Sequence, residues 1–263
     1  MNPLLIVKTG TTLESLRGEH GDFEDWIGAG MQLEPSEVAV ASAFDGGALP
    51  DPARFAGIVV TGSSAMVSHR ESWSERGAEW LRGAVSRGIP VLGICFGHQL
   101  LAHALGGRVA PNPRGRQIGT VSLRLEAAAA RDDLFAAVGS SFPVHVTHSE
   151  AVVELPREAV RLASTRGDPN SAFSFGAAAW GVQFHPEFDA RVMRGYIEAR
   201  RAQLLAENID ADARLESVQE CPDAPRLLLR FRELLSDRRD SRESAATRGS
   251  RSAPRGWPPR GRC

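Results

Sequence analysis

Apolar positions fall into short runs separated by turn residues, and the runs predict strands. Leu4–Val7 reads as a first strand, Val38–Ala43 as a second and Gly57–Thr61 as a third. Pro90–Ile94 is a fourth, its apolar run of Ile89, Val91, Leu92 and Ile94 broken only by Pro90. The second and third are joined by a turn-rich segment, Asp45 to Pro52. Between the third and fourth, Glu71–Arg87 has helical spacing through Trp73, Ala78, Trp80, Leu81 and Val85. A helix between successive apolar strands predicts a right-handed β-α-β unit and an open, mostly parallel sheet flanked by helices.

Further on, Leu100, Leu101, Ala104 and Leu105 recur at helical spacing, and a Pro/Gly/Arg loop follows at Pro111–Gly115. Ile118–Leu125 alternates as a half-exposed strand. Val144–Thr147, Ala151–Leu155, Val160–Ser164 and Trp180–Phe184 are short strand candidates. Ala190–Glu207 reads as one long helix and Ala224–Leu235 as the last. From Ser236 the composition turns to Arg, Ser, Gly and Pro, with almost nothing apolar except Trp257. Such a segment does not bury enough surface to offset its ordering entropy. The expected organisation is one domain over 1–235 and a disordered Arg-rich tail over 236–263.

A chain of 263 residues is long enough for one α/β domain with a sizeable core. A net charge of −1 gives no electrostatic argument for nucleic acid or membrane partners. No run of about 18 apolar residues predicts a membrane span. Met1–Val7 leads directly into a strand without a charged leader, so no signal peptide is expected. Cys95, Cys221 and Cys263 are too few and too widely spaced for a disulfide framework or a zinc knuckle, which points to the cytoplasm.

The chemistry concentrates at two places. Residues 93–97 read Gly-Ile-Cys-Phe-Gly, set between the fourth strand and the helical run that follows. Strand, sharp turn and helix is the arrangement that holds a nucleophile exposed above an α/β sheet. The flanking glycines permit the tight turn, and the helix N-terminus favours an anionic sulfur. Residues 181–187 read Gly-Val-Gln-Phe-His-Pro-Glu. In an extended backbone His185 and Glu187 project to the same side, and Pro186 ends the ladder. A carboxylate beside an imidazole selects its tautomer and stabilises the imidazolium, as a base serving a cysteine nucleophile requires. His98, His103, His145 and His148 match no common zinc spacing, so neither metal nor cofactor is expected.

The motifs at 93–102 and 181–187 together closely resemble those of class I, triad-type glutamine amidotransferases. The similarity is greatest to stand-alone relatives of the glutaminase domain of GMP synthetase, and it runs from about residue 35 to 200. It implies a flavodoxin-like fold with Cys95 as nucleophile, His185 as base and Glu187 as its orienter. It further implies an oxyanion hole from the Gly62 or Ser63 N–H and the Phe96 N–H. Substrate contacts would come from Gln99 and from the segment holding His148, Ser149 and Glu150. Glutamine would be hydrolysed to glutamate and ammonia, with a separate synthetase as acceptor, since no ATP-binding pattern is present. Two alternatives stay open: hydrolysis of γ-glutamyl peptides or conjugates by the same triad, and a non-catalytic regulatory or binding subunit.

Overall fold

A computed structural model describes residues 2–250, with side chains described to residue 238. In chain order the elements are β1 (Leu4–Lys8), α1 (Glu14–His20), α2 (Phe23–Gly30), β2 (Val38–Ser42), β3 (Gly57–Val60), α3 (Ser72–Ser86), β4 (Val91–Ile94) and α4 (Phe96–Ala104). There follow β5 (Arg108–Pro111), β6 (Gln117–Leu125), β7 (Ser141–His148), β8 (Glu150–Glu154), β9 (Ala159–Ser164), β10 (Ala172–Phe175) and β11 (Ala179–Val182). The chain then continues through α5 (Ala190–Ala199), α6 (Arg201–Ala206), α7 (Ala211–Glu216) and α8 (Ala224–Ser250).

A nine-stranded sheet runs in the order β2-β1-β3-β4-β11-β10-β9-β6-β7, and β5 pairs with β8 in a two-stranded ribbon. From β2 to β11 neighbouring strands are parallel; beyond β11 they are antiparallel. β1, β3, β4 and β11 are covered on both faces, which is why they read as continuous apolar runs instead of alternating ones, whereas the edge strand β2 leaves Val40 half exposed. Leu4, Ile6, Val59, Leu92 and Ile94 point into one core with Ile27 of α2, Met193 of α5 and Phe231 of α8. Leu5, Val7, Ile58, Val60 and Val91 point into the other, against Leu81 of α3 and Leu100 of α4. Successive residues of one strand thus feed opposite cores, as a period of two requires.

The structure adds α1 and α2, which sequence periodicity does not indicate. Gly18, Gly21, Gly28 and Gly30 interrupt that region and weaken its helical signal. A capping box offsets this in α2: the Asp22 carboxylate accepts the Phe23 N–H at 2.8 Å, and Asp25 accepts the Asp22 N–H at 2.9 Å. The expected helix over 190–207 is split at Arg200, whose backbone (φ −103°, ψ 8°) separates α5 from α6. The last helix starts where expected but runs on past Ser236 to Ser250; the remainder of the Arg-rich tail lies outside the described residues. Among the described residues no helix is long and apolar enough to cross a membrane.

Candidate active site

The site lies at the carboxyl ends of β3, β4 and β11, where the loops of an open parallel sheet face one crevice. Cys95 sits between β4 and α4 with φ 53° and ψ −102°, a positive-φ conformation that is costly for a residue with a side chain. Its neighbours hold it there. Cys95 N–H donates to the Val182 carbonyl at 2.8 Å, and Gly97 N–H to the Thr61 carbonyl at 3.1 Å. A Cβ on Gly93 would stand 2.4 Å from the Gly97 carbonyl oxygen, and one on Gly97 would stand 2.4 Å from that of Val60. Both glycines of the pentapeptide are therefore steric necessities of the turn. Gly97→Ala should lower folding stability by about 2–3 kcal/mol, the usual scale of overpacking a closed site. Urea unfolding measures this, and a variant as stable as the parent would remove the packing argument.

His185 and Glu187 meet as expected, but not by strand alternation. The strand β11 stops at Val182, and His185 to Phe188 form a turn in which the Phe188 N–H reaches the His185 carbonyl at 3.4 Å. Within that turn His185 Nδ1 lies 2.7 Å from Glu187 Oε1, both side chains being buried. Phe188 stacks on the imidazole with centroids 4.0 Å apart, and Phe23 of α2 lies nearly parallel to it at 6.2 Å. The ring is thereby fixed by apolar walls and by one carboxylate. Burial pushes the imidazole toward neutrality, but the Glu187 carboxylate and the Cys95 sulfur outweigh it and raise its pKa to about 10. The Nε2 atom of His185 is buried with no aligned hydrogen-bond partner, so Cys95 acts on the ring by electrostatic proximity more than through a formed bond. The Cys95 sulfur itself makes one long contact, 3.9 Å to the Thr147 carbonyl.

The two N–H candidates on the loop after β3 differ. Ser63 lines the cleft beside Cys95 and Phe96, whereas Gly62 does not. Gly62 instead backs onto the imidazole: a Cβ there would be 3.1 Å from His185 Cε1. Neither Ser63 nor Phe96 N–H has an acceptor among the described residues. The Phe96 ring turns away and stacks on Trp73 at 5.5 Å, leaving its N–H as one of the unpaired donors of the first helical turn.

Gln99 projects from the first turn of α4, and its amide nitrogen donates to the Glu150 carbonyl and to Gln183 Oε1, each at 2.9 Å. Both amide protons being used, Oε1 is the end left for the cleft. His148 is neutral: burial outweighs its bond to the Glu150 carbonyl and pushes its pKa down to about 4. Its Nδ1–H donates to that carbonyl at 2.7 Å, so Nε2 remains an acceptor. Glu150 thus acts through its backbone, while its carboxylate takes the Ser68 N–H at 3.3 Å. Ser149 lines the cleft with its hydroxyl 3.7 Å from the Met66 sulfur. Sequence reasoning overlooks Arg116 and Arg200, which also line the cleft and come from a loop and a helix junction with no motif around them. Among the described residues no group of His, Cys, Asp and Glu is placed to hold a metal ion.

The sequence profile of the family described as Glutamine amidotransferase class-I matches residues 45–202. A GMP synthase (glutamine-hydrolyzing) of Aeropyrum pernix is 38% identical over 154 residues, covering 58% of this chain and 28% of that protein. One of Bacillus subtilis is 42% identical over 100 residues, covering 38% of this chain and 19% of its own. The chain therefore spans less than a third of the length of these relatives. Among solved structures, a glutamine amidotransferase of Thermotoga maritima superposes with a TM-score of 0.71 at 23% identity, covering 89% of this chain and 98% of that one. A glutamine amido transferase of Methylobacillus flagellatus gives 0.68 at 22% identity, covering 90% and 94%. At these identities the structural likeness establishes the fold.

Proposed function

Since the chain belongs to the class-I glutamine amidotransferase family, we propose that it hydrolyses the γ-amide of glutamine through Cys95, His185 and Glu187. The observation that carries this reading is the buried His185–Glu187 pair, 2.7 Å apart, within electrostatic reach of a cysteine held in a strained turn. The Cys95 sulfur attacks the γ-carbonyl carbon, and the developing oxyanion is held by the Phe96 and Ser63 N–H groups. Each well-placed donor of this kind is worth about 3 kcal/mol of barrier. The C–N bond breaks as the proton on His185 Nε2 passes to the leaving nitrogen, giving ammonia and a γ-glutamyl thioester. His185 then takes a proton from water, the resulting hydroxide attacks the thioester, and glutamate leaves with the sulfur restored.

Glutamate and ammonia released from L-glutamine, measured against cleavage of γ-glutamyl peptides, test this directly. Ammonia from glutamine is the expected result; cleavage of γ-glutamyl peptides with none from glutamine would transfer the activity to a peptidase. The pH dependence has a sign. A His185 raised to about 10 keeps its proton at neutral pH, so turnover should fall as pH rises through about 10, not through the ordinary imidazole value. An alkaline limb near the unperturbed imidazole value of about 6.5 would contradict the coupling to Glu187. By likeness to the GMP synthases, the ammonia goes to a synthetase partner that amidates an acceptor, which co-purification from native cells tests.

A further inference from the structure

One group in the cleft has no place in the chemistry just described. Arg200, at the junction of α5 and α6, lines the cleft together with Cys95, Gln99, His148 and Arg116. Its Nε–H is buried and meets no acceptor among the described residues. The guanidinium is held over the Tyr196 ring, with its carbon 5.5 Å from the ring centroid, which fixes its plane without satisfying its donors. Arg116, on the other side, is already paired: Nε and one Nη reach the two oxygens of Glu207 at 2.8 and 3.0 Å. Glu207 is thus committed to Arg116, and Arg200 has no carboxylate within ion-pair distance among the described residues. The two arginines are close enough that, after burial, Arg116 is the next influence disfavouring the charge on Arg200. A half-buried cation whose buried Nε–H lacks an acceptor, beside a second cation, is an arrangement that an anion would relieve.

We infer that Arg200, backed by Arg116, is a carboxylate subsite of the substrate cleft. This rests on the reading of the site as one that takes a γ-glutamyl compound. Two carboxylates fit the same chemistry: the α-carboxylate of the glutamyl part, or a carboxylate on the amine that leaves. In either case the planar fork of Arg200 offers parallel N–H donors that a lysine would not reproduce. Arg200 is then a specificity-determining residue and takes no part in bond cleavage.

The test measures binding separately from turnover. In a Cys95→Ala background, calorimetric titration with L-glutamine and with γ-glutamylglycine is compared between the protein that keeps Arg200 and Arg200→Met. Losing a charged hydrogen-bond partner typically weakens affinity by about tenfold or more. Equal weakening for both ligands assigns the α-carboxylate; weakening for γ-glutamylglycine alone assigns the leaving-group carboxylate. Unchanged affinity for both, or no binding of either ligand to the protein that keeps Arg200, overturns the subsite. Arg200→Lys keeps the charge and should still lose several-fold, which preserves the test if Arg200→Met does not fold. Binding that survives while the Cys95 protein turns over no glutamine would count against the proposed reaction and leave the subsite standing.

Discussion

Cys95→Ala should abolish ammonia release from glutamine, by about 10⁴-fold or more, while leaving the fold intact. The loss follows because Cys95 alone comes from the β4–α4 turn, the hydroxyls of Ser63, Ser64, Thr147 and Ser149 reaching the cleft from other segments. The fold should persist because alanine removes a single atom, whose hydrogen-bond contact with the Thr147 carbonyl is long at 3.9 Å. The backbone strain at φ 53° is also the same for alanine as for cysteine, so the substitution neither relieves nor adds to it. Ammonia release and a thermal melt on the same preparation separate the two effects. Retained turnover in a folded Cys95→Ala protein would mean that another group attacks the amide.

Glu187→Gln is expected to cost about 10³–10⁴-fold in turnover, the scale seen when the acid of a triad is made neutral with its geometry kept. The introduced amide oxygen can still accept the Nδ1–H at the 2.7 Å now occupied by Glu187 Oε1. What disappears is the charge. With burial opposing the imidazolium and the carboxylate no longer supporting it, the pKa of His185 should fall from about 10. The alkaline limb of the pH profile should therefore shift downward together with the loss of rate. A rate loss without that shift would indicate a displaced ring in place of a changed proton affinity. Cys95 alkylation by iodoacetamide across the same pH range reads the proton affinity independently of glutamine.

The part of the fold that carries Cys95 is legible in the sequence because its constraints are local. Gly93 and Gly97 lie two residues either side of Cys95, and each is demanded by a backbone oxygen at 2.4 Å from where a Cβ would stand. The strands around them are buried on both faces, so they announce themselves as unbroken apolar runs. Helices α1 and α2 are not legible, because α2 depends on a cap from Asp22 and on packing of Phe23 and Ile27, against a glycine-rich background. The nearness of His185 and Glu187 follows from the sequence, but its cause does not. The pattern predicts a strand where a turn stands, because Trp180–Phe184 is mostly apolar and nothing in it marks Val182 as the last paired residue.

The charged wall of the cleft escapes sequence reasoning for a different reason. Arg116 precedes β6 and Arg200 follows α5, so the two meet only through the tertiary fold. In a chain with 31 basic residues, a single arginine in a loop carries no signal. The choice between Gly62 and Ser63 is likewise beyond the sequence, since both follow β3 and only their relation to the His185 ring and the cleft distinguishes them.

Cys95 and His185 are expected to form a working nucleophile that accepts a glutamine-shaped electrophile. Treatment with 6-diazo-5-oxo-L-norleucine at neutral pH, followed by peptide mass mapping, tests it most directly. The sulfur displaces dinitrogen from the protonated diazo carbon, leaving a stable thioether. One equivalent of adduct is expected on Cys95, suppressed by excess L-glutamine, with Cys221, whose thiol burial pushes up to about 12, unmodified. A folded protein whose Cys95 stays unlabelled, or labels equally with glutamine present, would contradict it.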